Sequence, residues 1–198
     1  IVLKENTFKH INYNIYQHNI DNVWDGVNYT DDNWPNNFFI CTNKSNVDDS
    51  YAESISVMTY MKYDEVVKWK YTENTIVNKG NRGQDYIDCK KRKEEIIISK
   101  LEDIYPDIRS KIKSSYSSTP LTFRDYIGDK EGSLYGVLKD SNSPHRTIIN
   151  SKTKIPNLYF TGQNIVLHGI LGTTIGAFIT CFNFLDREKI MDKVINKN

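Results

Sequence analysis

The chain has 198 residues, enough for one domain with a sizeable apolar core. Its 26 Lys and Arg residues nearly balance its 25 Asp and Glu residues, so the net charge gives no reason to expect binding to nucleic acid or to an anionic surface. The three cysteines are far apart in the sequence, which predicts neither a disulfide framework nor a zinc site and fits a reducing compartment. We therefore expect a cytoplasmic protein.

Four strands are predicted in the first third of the chain. Residues 1–4 begin with three apolar residues and are predicted to form a strand, and residues 8–20 alternate between apolar and polar, which is typical of a half-exposed strand. Residues 38–42 and 54–61 have the same character and are separated by a polar loop. The simplest arrangement is an antiparallel sheet of three or more strands.

Metal binding and acid–base catalysis are not predicted. His10 and His18 fall on one face of the predicted strand but roughly 26 Å apart, too far to share a metal ion. The chain has no close pair of carboxylates in an apolar setting, no Ser-His-Asp pattern and no Cys-His spacing. The catalytic residues are therefore unknown.

A short helix is predicted at residues 64–69 and a long one at Gln84–Ile104. In the long helix, Ile97, Leu101 and Ile104 form an apolar stripe, whereas residues 90–93 are four consecutive basic residues. Such a run could bind nucleic acid or lipid, but two glutamates follow it directly, which favours a solvated helix face.

The middle of the chain is rich in turn signals. Residues 114–118 are predicted to form a strand, and Thr119 and Pro120 should start a short helix that continues to residue 127. Three glycines then fall between residues 128 and 136. By spacing alone, a tight turn and a close approach by another group are equally good interpretations. A further strand is predicted at residues 147–149.

The carboxy-terminal part should contain a strand, a glycine turn and a helix. Residues 158–161 are β-branched and aromatic, Gly162 should end that strand, and residues 170–185 are so apolar that we expect a helix buried on most sides. Its amino terminus would present backbone N–H groups that stabilise a phosphate or a ring edge, although glycines here could serve packing alone. The helix is too short to span a bilayer.

Several stretches resemble the phytoene desaturase, carotenoid isomerase and retinol saturase family of FAD-dependent oxidoreductases. One stretch reads Thr-Lys-Ile-Pro-Asn-Leu-Tyr-Phe-Thr-Gly-Gln-Asn (residues 153–164), and it precedes His-Gly-Ile-Leu-Gly (168–172). Another reads Thr-Pro-Leu-Thr, Asp-Tyr and Glu-Gly-Ser-Leu-Tyr-Gly (between residues 119 and 136). The resemblance is with the carboxy-terminal part of those proteins, strong from residue 118 to 181 and weak before it.

This resemblance implies a set of binding residues. The glycine at the strand end would lie near the FAD pyrophosphate and ribityl chain, and the following helix would point at the flavin ring. Related flavoproteins often have an acidic residue where this chain has Gln163, which can still hydrogen-bond a ribityl hydroxyl. His168 would contact the cofactor or serve the structure rather than transfer a proton. The implied cofactor-binding residues are Gly162, Gln163, Asn164, His168, Gly169, Leu171, Gly172 and Thr173, and the implied substrate-binding residues are Tyr126 and Tyr135.

The resemblance also implies a domain organisation. The chain has no G-x-G-x-x-G turn, which the family carries near its amino terminus, so we expect a carboxy-terminal portion whose dinucleotide-binding part is absent. The expected fold class is α+β. Residues 1–146 would form a mixed, largely antiparallel sheet covered by helices, as a substrate domain. Residues 147–198 would supply a strand and helix that complete an FAD-binding domain.

Three functions remain open at this point. The first is an FAD-dependent oxidoreductase that desaturates, saturates or isomerises a lipophilic polyene, with NAD(P) as a further candidate cofactor. The others are a cofactor-free interaction domain and a flavoprotein oxidase acting on a small amine. The first implies an oily substrate, peripheral contact with a membrane for loading it, and an amino-terminal domain of the same protein as partner. The fragment alone would be inactive.

Overall fold

A computed structural model describes residues 1–196. The chain forms two compact units, Ile1–Gly132 and Ser133–Asn198. The boundary predicted from the sequence, between residues 146 and 147, lies inside the second unit. No helix among the described residues is both long and apolar enough to cross a membrane.

The first unit contains a five-stranded antiparallel sheet and helices, which confirms the α+β fold class. The strands are β1 (Val2–Leu3), β2 (Ile15–His18), β3 (Asn37–Lys44), β4 (Ala52–Met58) and β5 (Ile112–Ser114). Their order in the sheet is β2-β3-β4-β1-β5, and the hairpin of β3 and β4 pairs Phe39 with Met58 and Thr42 with Ile55.

The strand predicted at residues 8–20 is confirmed where β2 pairs with β3, and Lys9 forms a single antiparallel bridge with Tyr51. Before β2, the Thr42 hydroxyl accepts a hydrogen bond from the Ile11 N–H at 3.0 Å and donates one to the Ile11 carbonyl at 2.9 Å. Because a side chain satisfies these backbone groups, the chain leaves the sheet at Ile11 before it enters β2.

One face of the sheet is covered by two helices, α1 (Gln84–Ile104) and α2 (Ile108–Lys111). Leu101 of α1 and Ile108 of α2 are fully buried in the main core. Fully burying such a side chain stabilises the fold by about 1.5–3 kcal/mol. The sheet contributes Leu3, Phe38, Ile40, Ala52 and Ile55 to this core, and the segment between β1 and β2 contributes Phe8.

The predicted long helix is confirmed at both ends, but one of its basic residues is not solvated. Lys93 is buried, its ammonium 2.6 Å from a Glu65 carboxylate oxygen and 4.1 Å from the centre of the Trp34 ring. The Tyr29 hydroxyl donates to the same carboxylate, and burial, reinforced by that contact, raises the pKa of Tyr29. The tertiary partners of Lys93 therefore override its position within a run of charges.

The strand predicted at residues 114–118 is wrong for most of its length, because β5 ends at Ser114. The Ser115 and Ser117 hydroxyls both donate to the Glu94 carboxylate of α1, at 3.0 and 2.5 Å, and this holds the chain against the helix. The predicted helix start is confirmed, since α3 (Pro120–Ile127) has Thr119 as its N-cap. A second small core joins the 3₁₀ helix Tyr63–Trp69 to α1 and α3 through Val66, Trp69, Tyr86 and Leu121.

Both interpretations of the glycine-rich segment hold, at different glycines. Gly128 ends α3 in the left-handed conformation with φ of 85°, and a Cβ there would meet no described atom within 4 Å. At Gly132, with φ of 70°, a Cβ would lie 1.8 Å from the Pro120 carbonyl oxygen. Gly128 is a turn residue, whereas Gly132 permits the backbone of the chain itself to approach.

The second unit differs from the sequence prediction in its strands. The strand predicted at 147–149 is wrong, because Pro144–Thr147 is the short helix α4 with proline in its first turn. The strand predicted at 158–161 is reduced to one antiparallel bridge between Lys152 and Tyr159. In the described residues this bridge is isolated, and its hydrogen bonding does not continue into a longer pair of strands.

The apolar helix of the second unit, α5 (Gly169–Cys181), is not buried on most sides as predicted. Its Ile170 is 91% exposed, and only Gly172, Gly176 and Thr180 are buried. The reason is that, among the described residues of this unit, Ile165 is the only large apolar side chain that is buried, and it keeps 8% exposure. The helix α6 (Arg187–Ile195) was not predicted, although Asp186 caps it by accepting from two backbone N–H groups.

Candidate functional site

Two of the stretches singled out in the sequence meet in the second unit. The Gln163 amide donates a hydrogen bond to the Leu134 carbonyl at 3.3 Å. The rings of Tyr135 and His168 are in contact, with their centres 4.3 Å apart and their planes tilted by 38°. The segment 134–136 therefore packs on the turn 162–168, and the predicted substrate residue Tyr135 contacts the predicted cofactor residue His168.

Gly136 brings these two segments together closely. With φ of 76°, it lies where a Cβ would be 1.5 Å from the Asn164 side-chain oxygen. That oxygen is buried and accepts no hydrogen bond from any described residue. A buried acceptor without a partner costs about 1–3 kcal/mol, so the close packing of Gly136 on Asn164 has an energetic cost.

Lys139 belongs to this site although the sequence did not indicate it. Its ammonium donates to the carbonyl oxygens of Thr147 at 3.2 Å, Asn164 at 2.9 Å and Ile165 at 3.4 Å. The ammonium group thereby fixes the turn that carries the predicted flavin contacts. No local pattern could have identified it, because two of its partners lie 25 and 26 residues along the chain.

The turn presents backbone without side chains at two glycines. Gly162 has φ of 100° and Gly169 has φ of 77°, conformations that favour glycine. A Cβ at either position would meet no atom of residues 1–196 within 4 Å, so both face open space. His168 is the N-cap of α5 but makes no side-chain capping bond, which leaves first-turn N–H groups free to bind an acceptor.

Gly172, a predicted flavin contact, packs closely against Leu167 of the preceding turn. A Cβ there would lie 2.5 Å from the Leu167 Cβ and 2.6 Å from the Leu167 carbonyl carbon and oxygen. The neighbouring Leu171 is exposed, and the Thr173 hydroxyl donates back to the Gly169 carbonyl at 2.8 Å. Close approach at Gly172 is therefore made by the chain itself.

We expect Gly172→Ala to destabilise α5, because the added methyl collides with the Leu167 backbone. The cost should be about 1–3 kcal/mol. Gly176→Ala is a matched control, since its Cβ would lie an acceptable 3.6 Å from the Gly162 carbonyl oxygen and alanine favours a helix by about 1 kcal/mol over glycine. Hydrogen exchange of residues 169–181 measures both. Equal protection in the two variants would contradict the packing role.

Tyr126 is the other predicted substrate residue. It lies on α3 in the first unit with an exposed side chain, whereas Tyr135 belongs to the second unit. The candidate site is therefore built from the predicted residues of the second unit, together with Lys139. Across residues 1–196, no three His, Cys, Asp or Glu side chains are grouped to hold a metal ion.

Comparison with known proteins gives one set of relatives. No protein-family profile and no solved structure match the chain. The all-trans-retinol 13,14-reductase of rat (Rattus norvegicus) is 32% identical over 117 residues, which is 58% of this chain and 19% of the relative. The human (Homo sapiens) protein gives the same figures, and the zebrafish (Danio rerio) protein is 31% identical over 133 residues, 65% of this chain and 21% of its own.

The chain thus spans about one fifth of the length of these relatives. It is similar to one portion of the all-trans-retinol 13,14-reductases, and this similarity supports the resemblance to the retinol saturase and carotenoid oxidoreductase family.

Proposed function

We propose that the chain is the carboxy-terminal portion of an FAD-dependent oxidoreductase that acts on a lipophilic, retinoid-like or carotenoid-like polyene. The observation that carries this proposal is its similarity to the all-trans-retinol 13,14-reductases. The packing of the segment 134–136 on the turn 162–168 supports it, because the stretches that resemble the flavin family form one site. Saturation, desaturation and isomerisation all belong to the proposed class of reaction.

The residues of this turn fit part of a flavin. Gly162 and Gly169 offer open backbone, the first turn of α5 offers N–H donors, and the Asn164 oxygen offers an acceptor without a partner. A flavin has ring carbonyls and N–H groups that suit these positions. FAD would supply the redox chemistry when bound, and the chain's residues would bind and orient it. The pyrophosphate needs a glycine-rich turn that this sequence does not contain.

The surroundings of this turn suit an oily substrate. The Tyr135 and His168 rings, which contact each other, offer aromatic faces, and Ile170 and Leu171 present exposed apolar side chains at the start of α5. An unpaired charge beside such a surface would cost several kcal/mol to bury. We therefore propose an uncharged or terminally polar substrate, and NAD(P) as a candidate electron carrier.

The exposed face of α5 is proposed to be covered in the intact protein. Ile170, Leu171, Ile175 and Ile179 are all exposed, which is unusual for a helix of such apolar composition. We propose that an amino-terminal dinucleotide-binding domain of the same protein packs there and completes the FAD site. The whole reading frame should then encode a G-x-G-x-x-G turn upstream of Ile1.

The test uses the protein encoded by the whole reading frame. We expect it to purify with bound flavin, and its flavin to exchange electrons with retinoid-like or carotenoid-like compounds. Tyr135→Ala should weaken this exchange about tenfold or more while flavin stays bound, because loss of an aromatic contact removes substrate binding. Tyr60→Ala is the control, since Tyr60 is exposed to a similar extent, 55% against 52%, and lies in the other unit.

Two results would contradict the proposal. Rapid flavin reduction by small amines, with no response to any polyene, would assign the protein to the amine oxidases instead. A stable protein of full length without flavin would favour the interaction domain. The 198-residue chain alone should bind FAD weakly or not at all, and a yellow preparation of it with stoichiometric flavin would show that the proposed missing domain is not needed.

A further inference from the structure

A loop of the first unit holds two apolar residues at its tip. It follows the 3₁₀ helix Tyr63–Trp69 and leads into α1. At the tip the chain reverses, since the Thr75 N–H donates to the Asn78 carbonyl at 2.8 Å and the Asn78 N–H donates to the Thr75 hydroxyl at 2.9 Å. Between them Ile76 is 78% exposed and Val77 is 96% exposed.

Neither the turn conformation nor core packing explains why Ile76 and Val77 are apolar and β-branched. The central positions of tight turns favour Gly, Asn, Asp and Pro, each for a conformational reason, and β-branched residues are poorly suited to them. Ile76 and Val77 contribute nothing to either core of the first unit. A local departure from turn chemistry without a packing gain is expected at a functional surface.

Hydrogen bonds and an ion pair fix the base of the loop, so that the two apolar side chains at the tip stay exposed to solvent. Asp125 of α3 is 1% exposed and accepts hydrogen bonds from the Asn74 N–H at 2.8 Å and from Arg82. The Arg82 side chain, 4% exposed, also donates to the Thr72 hydroxyl at 2.9 Å. These contacts fix the loop on both sides of the tip.

The surface beside the tip is basic and carries an aromatic residue. A groove of about 400 Å³ separates the loop from α1, and Lys90, Lys91 and the exposed Tyr116 line it. Lys79 follows the tip directly. None of these three lysines forms an ion pair with any residue between 1 and 196.

The carboxylates near this surface are already engaged. Glu94, which also lines the groove, accepts from Ser115 and Ser117, and Glu73 accepts from the Asn78 amide at 3.1 Å. The lysines are therefore available to an external anion, although the net charge of the whole chain is close to zero.

We propose that this loop is a membrane-contact site, in which Ile76 and Val77 insert into the interface of an anionic lipid bilayer. Apolar side chains in the interface combined with Lys near the headgroups are the recognised means of reversible membrane binding. Lys79, Lys90 and Lys91 provide the charge complementarity, and an aromatic residue such as Tyr116 suits the headgroup level. The tip is only two residues wide, and its Asn and Lys neighbours suit water and headgroups rather than a buried protein interface.

The test is co-flotation of the full chain with vesicles of phosphatidylcholine and phosphatidylserine. We expect binding to these vesicles, weaker binding to phosphatidylcholine alone, and a loss of binding with rising salt. The double variant Ile76→Ser and Val77→Ser should bind these vesicles at least about tenfold more weakly than the parent chain. Because both side chains are exposed, its circular dichroism should match that of the parent chain.

Val47→Ser is the matched control, because Val47 is 85% exposed in a loop of the same unit and should not affect binding. Parent chain that fails to float with the anionic vesicles would overturn the proposal. Equal binding by the double variant would also overturn it, and would transfer the contact to another apolar surface such as that of α5. Neither result depends on flavin or polyene, so this inference can fail while the proposed function holds.

Discussion

Asp125→Ala should lower the free energy of unfolding of the first unit by about 3–5 kcal/mol. The Asp125 carboxylate is buried between Arg82 and Arg124 and also accepts from the Asn74 N–H. Removing it leaves the Arg82 guanidinium, which is almost fully buried, without its carboxylate partner. An uncompensated buried charge is among the most destabilising changes that a single substitution can make.

Urea titration followed by tryptophan fluorescence measures this change in the first unit alone, because all three tryptophans, Trp24, Trp34 and Trp69, lie there. Asp103→Ala is the control. Asp103 pairs with Lys100 at 3.8 Å on the surface, where ion pairs contribute little. Unfolding midpoints that agree between the two variants would contradict the structural importance of Asp125.

The stabilisation by Asp125 should also depend on pH. Burial alone would raise the pKa of this carboxyl, but hydrogen bonds from the Asn74 N–H, Arg124 and Arg82 outweigh burial and lower it. A carboxyl with a lowered pKa stabilises the fold above its unfolded pKa of about 3.9 and loses this effect as the pH falls towards the folded pKa. The difference between parent and Asp125→Ala should therefore be constant from pH 7 to about 5 and shrink below about 4.

Gly132→Ala should destabilise the first unit by about 3 kcal/mol or more. The new methyl group would lie 1.8 Å from the Pro120 carbonyl oxygen and 2.4 Å from its carbonyl carbon, and backbone at the start of α3 cannot move away as a side-chain tip can. The positive φ of 70° adds conformational strain to this collision. The same fluorescence titration reports the loss.

Gly128→Ala is the control that measures the cost of the positive φ without the steric collision found at Gly132. Gly128 has a positive φ of 85°, but a Cβ there meets no described atom within 4 Å, so this variant should lose only about 1–2 kcal/mol. If the two variants lost the same stability, the close approach of residue 132 to α3 would have no energetic consequence.

Stability and the candidate site are distributed unequally over the two units. The first unit contains both apolar cores and the buried ion pairs, whereas the second has little core of its own and contains most of the predicted binding residues. Sites that bind a cofactor often lie on such less stable segments, because closing around a ligand requires them to adapt.

Local chemistry in the sequence determined the elements that depend on neighbouring residues. The apolar spacing from Gln84 to Ile104 predicted a helix, and the helix of the structure begins and ends at these residues. This prediction was possible because helical periodicity is a property of the segment alone. The proline at position 120 likewise marked a helix start, since its fixed φ and missing N–H suit the first turn. The residues of β3 and β4 predicted two strands of an antiparallel sheet, and the structure pairs these strands directly.

Only the tertiary structure decided which residues meet. Leu134 and Gln163 are 29 residues apart, and Asn74 and Asp125 are 51 apart, so no local pattern could pair them. The burial of Lys93 depended on a carboxylate and an aromatic ring from other elements. The exposure of α5 depended on how little apolar surface its unit offers, and an apolar sequence can be buried only where a partner surface exists.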